Sequence, residues 1–317
     1  YTWSCDIACK HCFQEHINVS LDSNMIKKTI RDFAELDKVC SVGLFGGEVF
    51  LDYPKLLDLA EYCNGFNLPV GVVTNGNWGN TFQEALDKLE PLQQAGLKTL
   101  CVSYDAYHAQ FVPYQKILNV LQAAQSINIE RVYLYSVVGT DAIGGKTVQV
   151  VENILKYVDV DVDYKKALPT GTSGVCESSA SELQVSYDKL DKTCPLEEES
   201  IMVWPDGKAS PCATVATHPE LSFGNIKNES ITTIAGRIDN AHVLKQIYSE
   251  GLGGLVDSLP DNLAQDYKNQ SYLSACHLCY ALWDNKAVRE LLTNRINQTD
   301  SSSTVGEKRA VIAEAAI

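Results

Sequence analysis

The sequence predicts an α/β protein: a parallel sheet with helices outside it, followed by a smaller second domain. Three observations carry this. Between Ser41 and about Lys166, short apolar runs alternate with stretches of helical period. The connections are short, and glycine or polar clusters close the apolar runs, as repeated βα units require. After Pro169 the rhythm stops and loop-forming residues take over.

In chain order, Tyr1–Trp3 reads as a truncated first strand. Ser23 is placed to cap a helix whose Ile26, Ile30 and Phe33 form an i, i+4, i+7 stripe. Val42–Phe45 is a strand stopped by Gly46-Gly47, and a helical stretch from Leu56 to Tyr62 leads to a strand at Val70–Val73. Thr74-Asn75-Gly76 ends that strand, and the helix Phe82–Ala95 stops at Gly96. Strand Thr99–Ser103, helix Ile117–Ala124, strand Val132–Val138, helix Val148–Tyr157 and strand Val158–Tyr164 complete the repeat. This makes about six βα units, fewer than the eight of a closed barrel. Thr170–Gly174 and Glu177–Ser181 read as linker. The expected division is a barrel over 1–168, a linker over 169–193, a second domain over 194–296 and a tail over 297–317.

Composition narrows the function classes. Apolar residues at 45% and charged residues at 21% describe an ordinary globular chain long enough for a full core. A net charge of -14 without lysine- or arginine-rich runs argues against a nucleic-acid surface. No apolar run approaches the ~20 residues of a membrane span, and no basic-then-apolar leader opens the chain. The 11 cysteines are an odd number in a chain too long to need staples, so disulfides are disfavoured and reducing cytoplasm is expected.

Cys5-Asp6-Ile7-Ala8-Cys9-Lys10-His11-Cys12 places three thiols at C-x3-C-x2-C spacing. Three soft ligands suit an iron–sulfur cluster with one iron left open, although His16 could close a zinc site as a fourth ligand. Gly46-Gly47-Glu48 allows close backbone approach and offers a carboxylate to an ammonium; a plain tight turn is the alternative. Asn75 and Ser103 end strands where polar groups position a cofactor sugar or simply cap loops. Asp105 and His108 are spaced to pair, either as an acid and base facing substrate or as a surface loop pair. Cys194 and Cys212 flank a hairpin turning at Pro205-Asp206-Gly207, and Cys276-His277-Leu278-Cys279 is a C-x2-C turn; four such sulfurs could clamp zinc. Cys40, Cys63, Cys101 and Cys176 suit core packing. Cys101, within a strand, and Cys176, in the linker, could instead face the cavity and take part in its chemistry.

The cysteine triplet followed by Phe13 resembles the radical S-adenosylmethionine superfamily, and the likeness runs from Tyr1 to about Cys279. It implies a partial (β/α)6 TIM-type barrel in which Cys5, Cys9 and Cys12 hold a [4Fe–4S] cluster. The open iron would bind S-adenosylmethionine, and reductive cleavage would give a 5′-deoxyadenosyl radical. His11 falls at the family's aromatic position beside adenine. Gly46-Gly47-Glu48-Val49 looks like the GGEP motif that binds the methionine amino group, with Val49 for proline. The resemblance places Asn75 and Ser103 near the ribose and Gly139 near adenine. The arrangement C-x12-G-x4-C and then C-x2-C looks like the twitch form of the SPASM domain, implying an auxiliary [4Fe–4S] cluster on Cys194, Cys212, Cys276 and Cys279. Expected cofactors are therefore S-adenosylmethionine and two [4Fe–4S] clusters, with a flavodoxin or ferredoxin as reductant. The expected substrate is a ribosomally synthesised peptide undergoing epimerisation or crosslinking. A small-molecule enzyme, such as an amino-sugar dehydrogenase, is the second reading, and a non-catalytic zinc-binding protein the third.

Overall fold

The computed structural model describes residues 1–14, 17–36, 41–139, 141–168, 183–195, 200–213 and 222–296. Cys40, Cys176, His16 and the expected tail lie outside these residues. Helix α1 (Ser23–Ala34) precedes a five-stranded parallel sheet whose strands lie side by side in chain order. These strands are β1 (Val42–Leu44), β2 (Val70–Thr74), β3 (Leu97–Ser103), β4 (Arg131–Val138) and β5 (Asp161–Lys166). Helices α2 (Tyr53–Asn64), α3 (Phe82–Gln94), α4 (Tyr114–Ser126) and α5 (Thr147–Leu155) fill the connections. Leu89, Leu100, Leu134 and Ile154 are completely buried where these helices meet the sheet. Apolar burial on both faces makes the central strands β2 to β4 largely apolar runs, whereas β5, with Asp161, Asp163, Lys165 and Lys166, is half-buried or exposed.

Several boundaries differ from the sequence reading. The expected strand at Tyr1–Trp3 is only a pair of isolated bridges, from Thr2 to Ser20 and to Gly46. Thr2 and Ser4 accept from the Gly47 and Glu48 N–H groups, at 2.6 and 2.8 Å. The first segment therefore meets the chain beyond the end of β1, not alongside it. Asp22, not Ser23, caps α1, accepting from the Asn24 and Met25 N–H groups. The last strand begins at Asp161, where pairing with Tyr133 starts, and runs on to Lys166.

Strand register decides what shares a face. Val73, Cys101 and Tyr133 are successive partners across β2–β4, and Ser103, Tyr135 and Asp163 across β3–β5. Because side chains alternate along a strand, Cys101 and Ser103 point to one face with Tyr133 and Tyr135.

In the second part, β6 (Val185–Ser186) pairs with the later β10 (Ser271–Tyr272). Strands β7 (Met202–Val203), β8 (Lys208–Ser210) and β9 (Gly224–Asn225) form an antiparallel sheet. The β7–β8 turn uses Gly207 at φ 87°, a left-handed conformation open to glycine. Helices α6 (Ile231–Asn240), α7 (His242–Asp257), α8 (Asp261–Lys268), α9 (Ala275–Asp284) and α10 (Lys286–Ile296) follow. Helix α7 breaks at Gly251, where the Leu252 N–H donates to Lys192 O at 2.8 Å and fixes the approach to Cys194. Cys276 and Cys279 are in the first turns of α9, not in a free turn. Ser274 caps that helix through the His277 N–H. Phe13 meets Trp204 edge-on, with centroids 6.1 Å apart, joining the cysteine loop to the β7–β8 hairpin.

Candidate active site

A cleft at the carboxyl ends of the strands encloses about 990 Å³, open mouth included. Cys5, Cys9 and Cys12 line it together with His11, Gly46, Gly47, Asn75, Ser103 and His108. Four chain regions separated by tens of residues thus converge, as expected of a parallel β/α fold.

The glycines have a packing reason that the sequence did not show. A Cβ on Gly46 would overlap Thr2, and one on Gly47 would overlap Ser4. Glu48 does not line the cleft. Its buried carboxylate accepts from Phe50 N–H at 3.0 Å, Thr74 Oγ1 at 2.8 Å and Asn75 N–H at 2.7 Å. Burial pushes its pKa up to about 7 against those three bonds. Glu48 is therefore a brace holding the glycine turn to the end of β2. Asn75 extends that brace, donating from Nδ2 to Asp6 at 2.8 Å and approaching the Cys5 sulfur at 3.7 Å. Asp6 also accepts from Asn77 at 2.7 Å.

Asp105 and His108 pair, but not on the surface: they are 0% and 9% exposed, with His108 Nδ1 3.0 Å from Asp105 Oδ1. The ring N–H is not aligned for a hydrogen bond there, so the contact is electrostatic. Burial opposes ionisation of Asp105, yet the His108 and His11 rings hold its carboxyl well below the usual range. His11 Nε2 is 3.7 Å from Asp105 Oδ2, and burial lowers the His11 pKa to about 4.

Cys101 does not face the cleft. It shares a face with Ser103 but lies one residue pair deeper, 1% exposed against Tyr133, where burial pushes its thiol up to about 12. Gly139 is also outside the lining; a Cβ there would overlap the Tyr107 hydroxyl.

Orphaned polar atoms locate the ligand-facing wall. His11 Nδ1, Gln14 Oε1 and Tyr135 Oη line the cleft, are buried, and have no hydrogen-bond partner among the described residues. Each unmet group costs ~1–3 kcal/mol, so a polar ligand there recovers what folding leaves unpaired. Gln14 donates its Nε2 to Gly46 O at 2.8 Å, while its Oε1 has no partner among the described residues. Tyr135 is under the field of Asp163, Cys101 and Cys276 and is therefore on the side of the cleft toward the second domain. Sequence reasoning missed Asp6, Gln14 and Tyr135. The first two were adjacent to the cysteine motif; Tyr135 had no local signal.

The cysteine sets suit a cluster better than a single ion. Tetrahedral zinc at ~2.3 Å would draw its sulfurs to about 3.8 Å from one another. Among the described residues the only three or more donors all within 4.8 Å are His11, Asp105 and His108. Neither Cys5/Cys9/Cys12 nor any three of Cys194/Cys212/Cys276/Cys279 are so tightly gathered. The second set is nonetheless one neighbourhood. Burial first, and then Cys212, Cys276 and Cys194, raise the Cys279 thiol well above its ordinary value. Burial likewise pushes Cys5 up to about 12, so these thiols need a bound cation to ionise.

Comparison with known proteins agrees with this layout. The radical SAM superfamily matches residues 2–158, and the SPASM iron–sulfur cluster-binding domain matches residues 194–280. A putative peptide biosynthesis protein, YydG of Bacillus subtilis strain 168, is 22% identical over 295 residues, covering 89% of each chain. Among solved structures, BtrN in complex with AdoMet and 2-DOIA aligns at TM-score 0.48 and 14% identity, over 86% of this chain and 92% of that one. Methylornithine synthase (PylB) aligns at TM-score 0.43 and 17% identity, over 56% of each. No helix among the described residues is long and apolar enough to cross a membrane.

Proposed function

The chain belongs to the radical S-adenosylmethionine superfamily, and from that premise we propose that it is an enzyme that modifies a ribosomally synthesised peptide by epimerisation or crosslinking. When bound, the first cluster and S-adenosylmethionine supply a 5′-deoxyadenosyl radical that takes a hydrogen atom from an unactivated C–H bond. Cys5, Cys9 and Cys12 are the cluster ligands in this reading. Gly46, Gly47, Asn75, Ser103 and His11 hold the cofactor, with Glu48 fixing the glycine turn from behind. Gln14 and His11 offer an acceptor and a ring nitrogen that the fold leaves unpaired. Tyr135 faces the peptide from the second-domain side. Cys194, Cys212, Cys276 and Cys279 carry an auxiliary [4Fe–4S] cluster with all four positions closed by protein, which suits electron transfer or structure. A flavodoxin or ferredoxin provides electrons.

One observation carries this reading: three cysteines and the glycine turn open on the same cleft as the orphaned polar groups. The peptide class is supported by the similarity to the peptide biosynthesis protein. The test is anaerobic reconstitution followed by incubation, in deuterated water, with peptides encoded beside the gene. One added deuterium marks epimerisation and loss of two hydrogens marks crosslinking. Deoxyadenosine formation with no peptide modified would defeat the peptide assignment, and absence of deoxyadenosine would defeat the radical one.

A further inference from the structure

Among the described residues that line the cleft there are two lysines, Lys165 and Lys166, and no aspartate or glutamate. This holds in a chain whose acidic residues outnumber its basic ones by 40 to 26. Both lysines are half-buried, at the end of β5. Strand register sets Lys165 beside Val137 and Asp163 beside Tyr135, so Tyr135, Val137 and Lys165 share one face. Tyr135 lines the cleft at 2% exposure, and its hydroxyl has no partner among the described residues.

The contacts already made leave this wall rich in donors. Lys166 gives one of its three N–H groups to Leu183 O, at 3.0 Å. Lys165 stands 3.1 Å from Asp163 Oδ1, with the two side chains 40% and 39% exposed. A pair so open to water is worth little and exchanges readily. An ammonium has no acceptor and the phenol has an O–H to give, so an anionic acceptor answers all three side chains. In an ordinary peptide that anion is a carboxylate.

The wall also lies away from the glycine turn. Gly46-Gly47 follows β1, and β1 and β5 are the two edges of the sheet. Four strand spacings separate them, roughly 19 Å along the sheet. A carboxylate held at Lys165 and Lys166 is therefore across the cleft from the turn read above as a cofactor contact.

From this arrangement we infer that Tyr135, Lys165 and Lys166 form a carboxylate subsite, which holds the peptide by an acidic side chain or by its C-terminal carboxylate. The inference rests on the peptide reading above and adds what such a peptide has to carry. It gives the Tyr135 hydroxyl the acceptor that folding leaves unmet. Anchoring at one edge fixes the register of the peptide across the cleft, and so which C–H bond is presented.

Glutarate tests the subsite without any peptide. In the reconstituted full-length enzyme with S-adenosylmethionine, it should slow reductive methylation of Lys165 and Lys166 about tenfold near saturation, read by mass spectrometry. Neutral glutaramide should not, and the exposed Lys98 and Lys286 should react at one rate throughout. Tyr135→Phe should weaken the protection. No protection by glutarate, equal protection by glutaramide, or equal slowing at Lys98 and Lys286 overturns the inference.

Peptides encoded beside the gene then assign the source of the carboxylate. Either changing each Asp or Glu to its amide or amidating the C terminus should lower kcat/KM about ten- to a hundredfold with the wild type. The Lys165→Gln, Lys166→Gln double variant should be indifferent to that change. The arm that shows the loss identifies side chain or C terminus, and no loss in either arm overturns the inference. A fall in S-adenosylmethionine affinity in the double variant as large as its fall in peptide kcat/KM would give the lysines to the cofactor's carboxylate and overturn it too. Protection by glutarate with no peptide modified would leave the carboxylate subsite standing while defeating the peptide reading.

Discussion

The two cysteine centres are built in opposite ways. At the strand ends, Cys5, Cys9 and Cys12 come from one eight-residue loop, and polar side chains dress it on several sides. Asn75 and Asn77 hold Asp6, and Gln14 ties the loop to Gly46. In the second domain, Cys194, Cys212, Cys276 and Cys279 come from three separate segments, each half-buried, gathered around Tyr248 and the first turns of α9. The first centre is positioned by its surroundings with or without a metal. The second draws its cysteines from segments far apart in the chain, so a metal there should act as a staple between them.

Four outcomes would break or sharpen that contrast. The largest concerns the loop. Cys5→Ala, Cys9→Ala or Cys12→Ala should abolish S-adenosylmethionine cleavage while sparing iron at the second centre and leaving the melting temperature nearly unchanged. Residual deoxyadenosine at wild-type rate in any of the three would remove that cysteine from the cluster. Next, Cys276→Ala with Cys279→Ala should halve the iron and lower the melting temperature markedly. Slow cleavage of S-adenosylmethionine, uncoupled from product, should persist. Full iron and full product in that double variant would make those cysteines ordinary helix residues.

A third outcome probes the brace at the first centre. Glu48 has a pKa raised to about 7 in the folded chain, by burial, against 4.5 for an ordinary glutamate. The folded state therefore holds the proton more tightly, and the stability this gives is complete below about pH 4.5 and lost as pH rises through 7. Relative to Glu48→Gln, which cannot ionise, the cluster-free wild type should lose about 3 kcal/mol of unfolding free energy across that window. Urea titrations at several pH values measure the difference, and a flat one would mean that Glu48 is not buried as described. The smallest effect belongs to Tyr135. Its hydroxyl is buried without a partner among the described residues, so Tyr135→Phe should leave the unfolding free energy unchanged or raise it by what an unmet polar group costs, up to ~1–3 kcal/mol. A clear loss of stability would show that the hydroxyl is bonded.

Much of the barrel was legible in the sequence. Alternating apolar runs and glycine stops located β1 to β5 within a few residues; for the central strands β2 to β4 the reason is that a strand buried on both faces is largely apolar. The exception, the expected strand at Tyr1–Trp3, failed because an apolar or aromatic stretch does not say what it pairs with. Thr2 pairs past the end of β1 through a single bridge on each side.

The site divides along the same line. Sequence alone was enough to single out the cysteine triplet, the glycine turn and the C-x2-C of α9, since the separation of cysteines three or four residues apart is set by covalent spacing. Long-range packing decided the rest. Glu48 faces three donors from neighbouring turns instead of the cleft, Cys101 lies beneath Ser103 instead of beside the substrate, and Asp105 is buried beside His108. Tyr135, 130 residues from Cys5 in the chain, is left with an unpaired hydroxyl toward the second domain. Whether a polar atom is paired or free depends on every segment that packs around it, and that information is distributed along the whole chain.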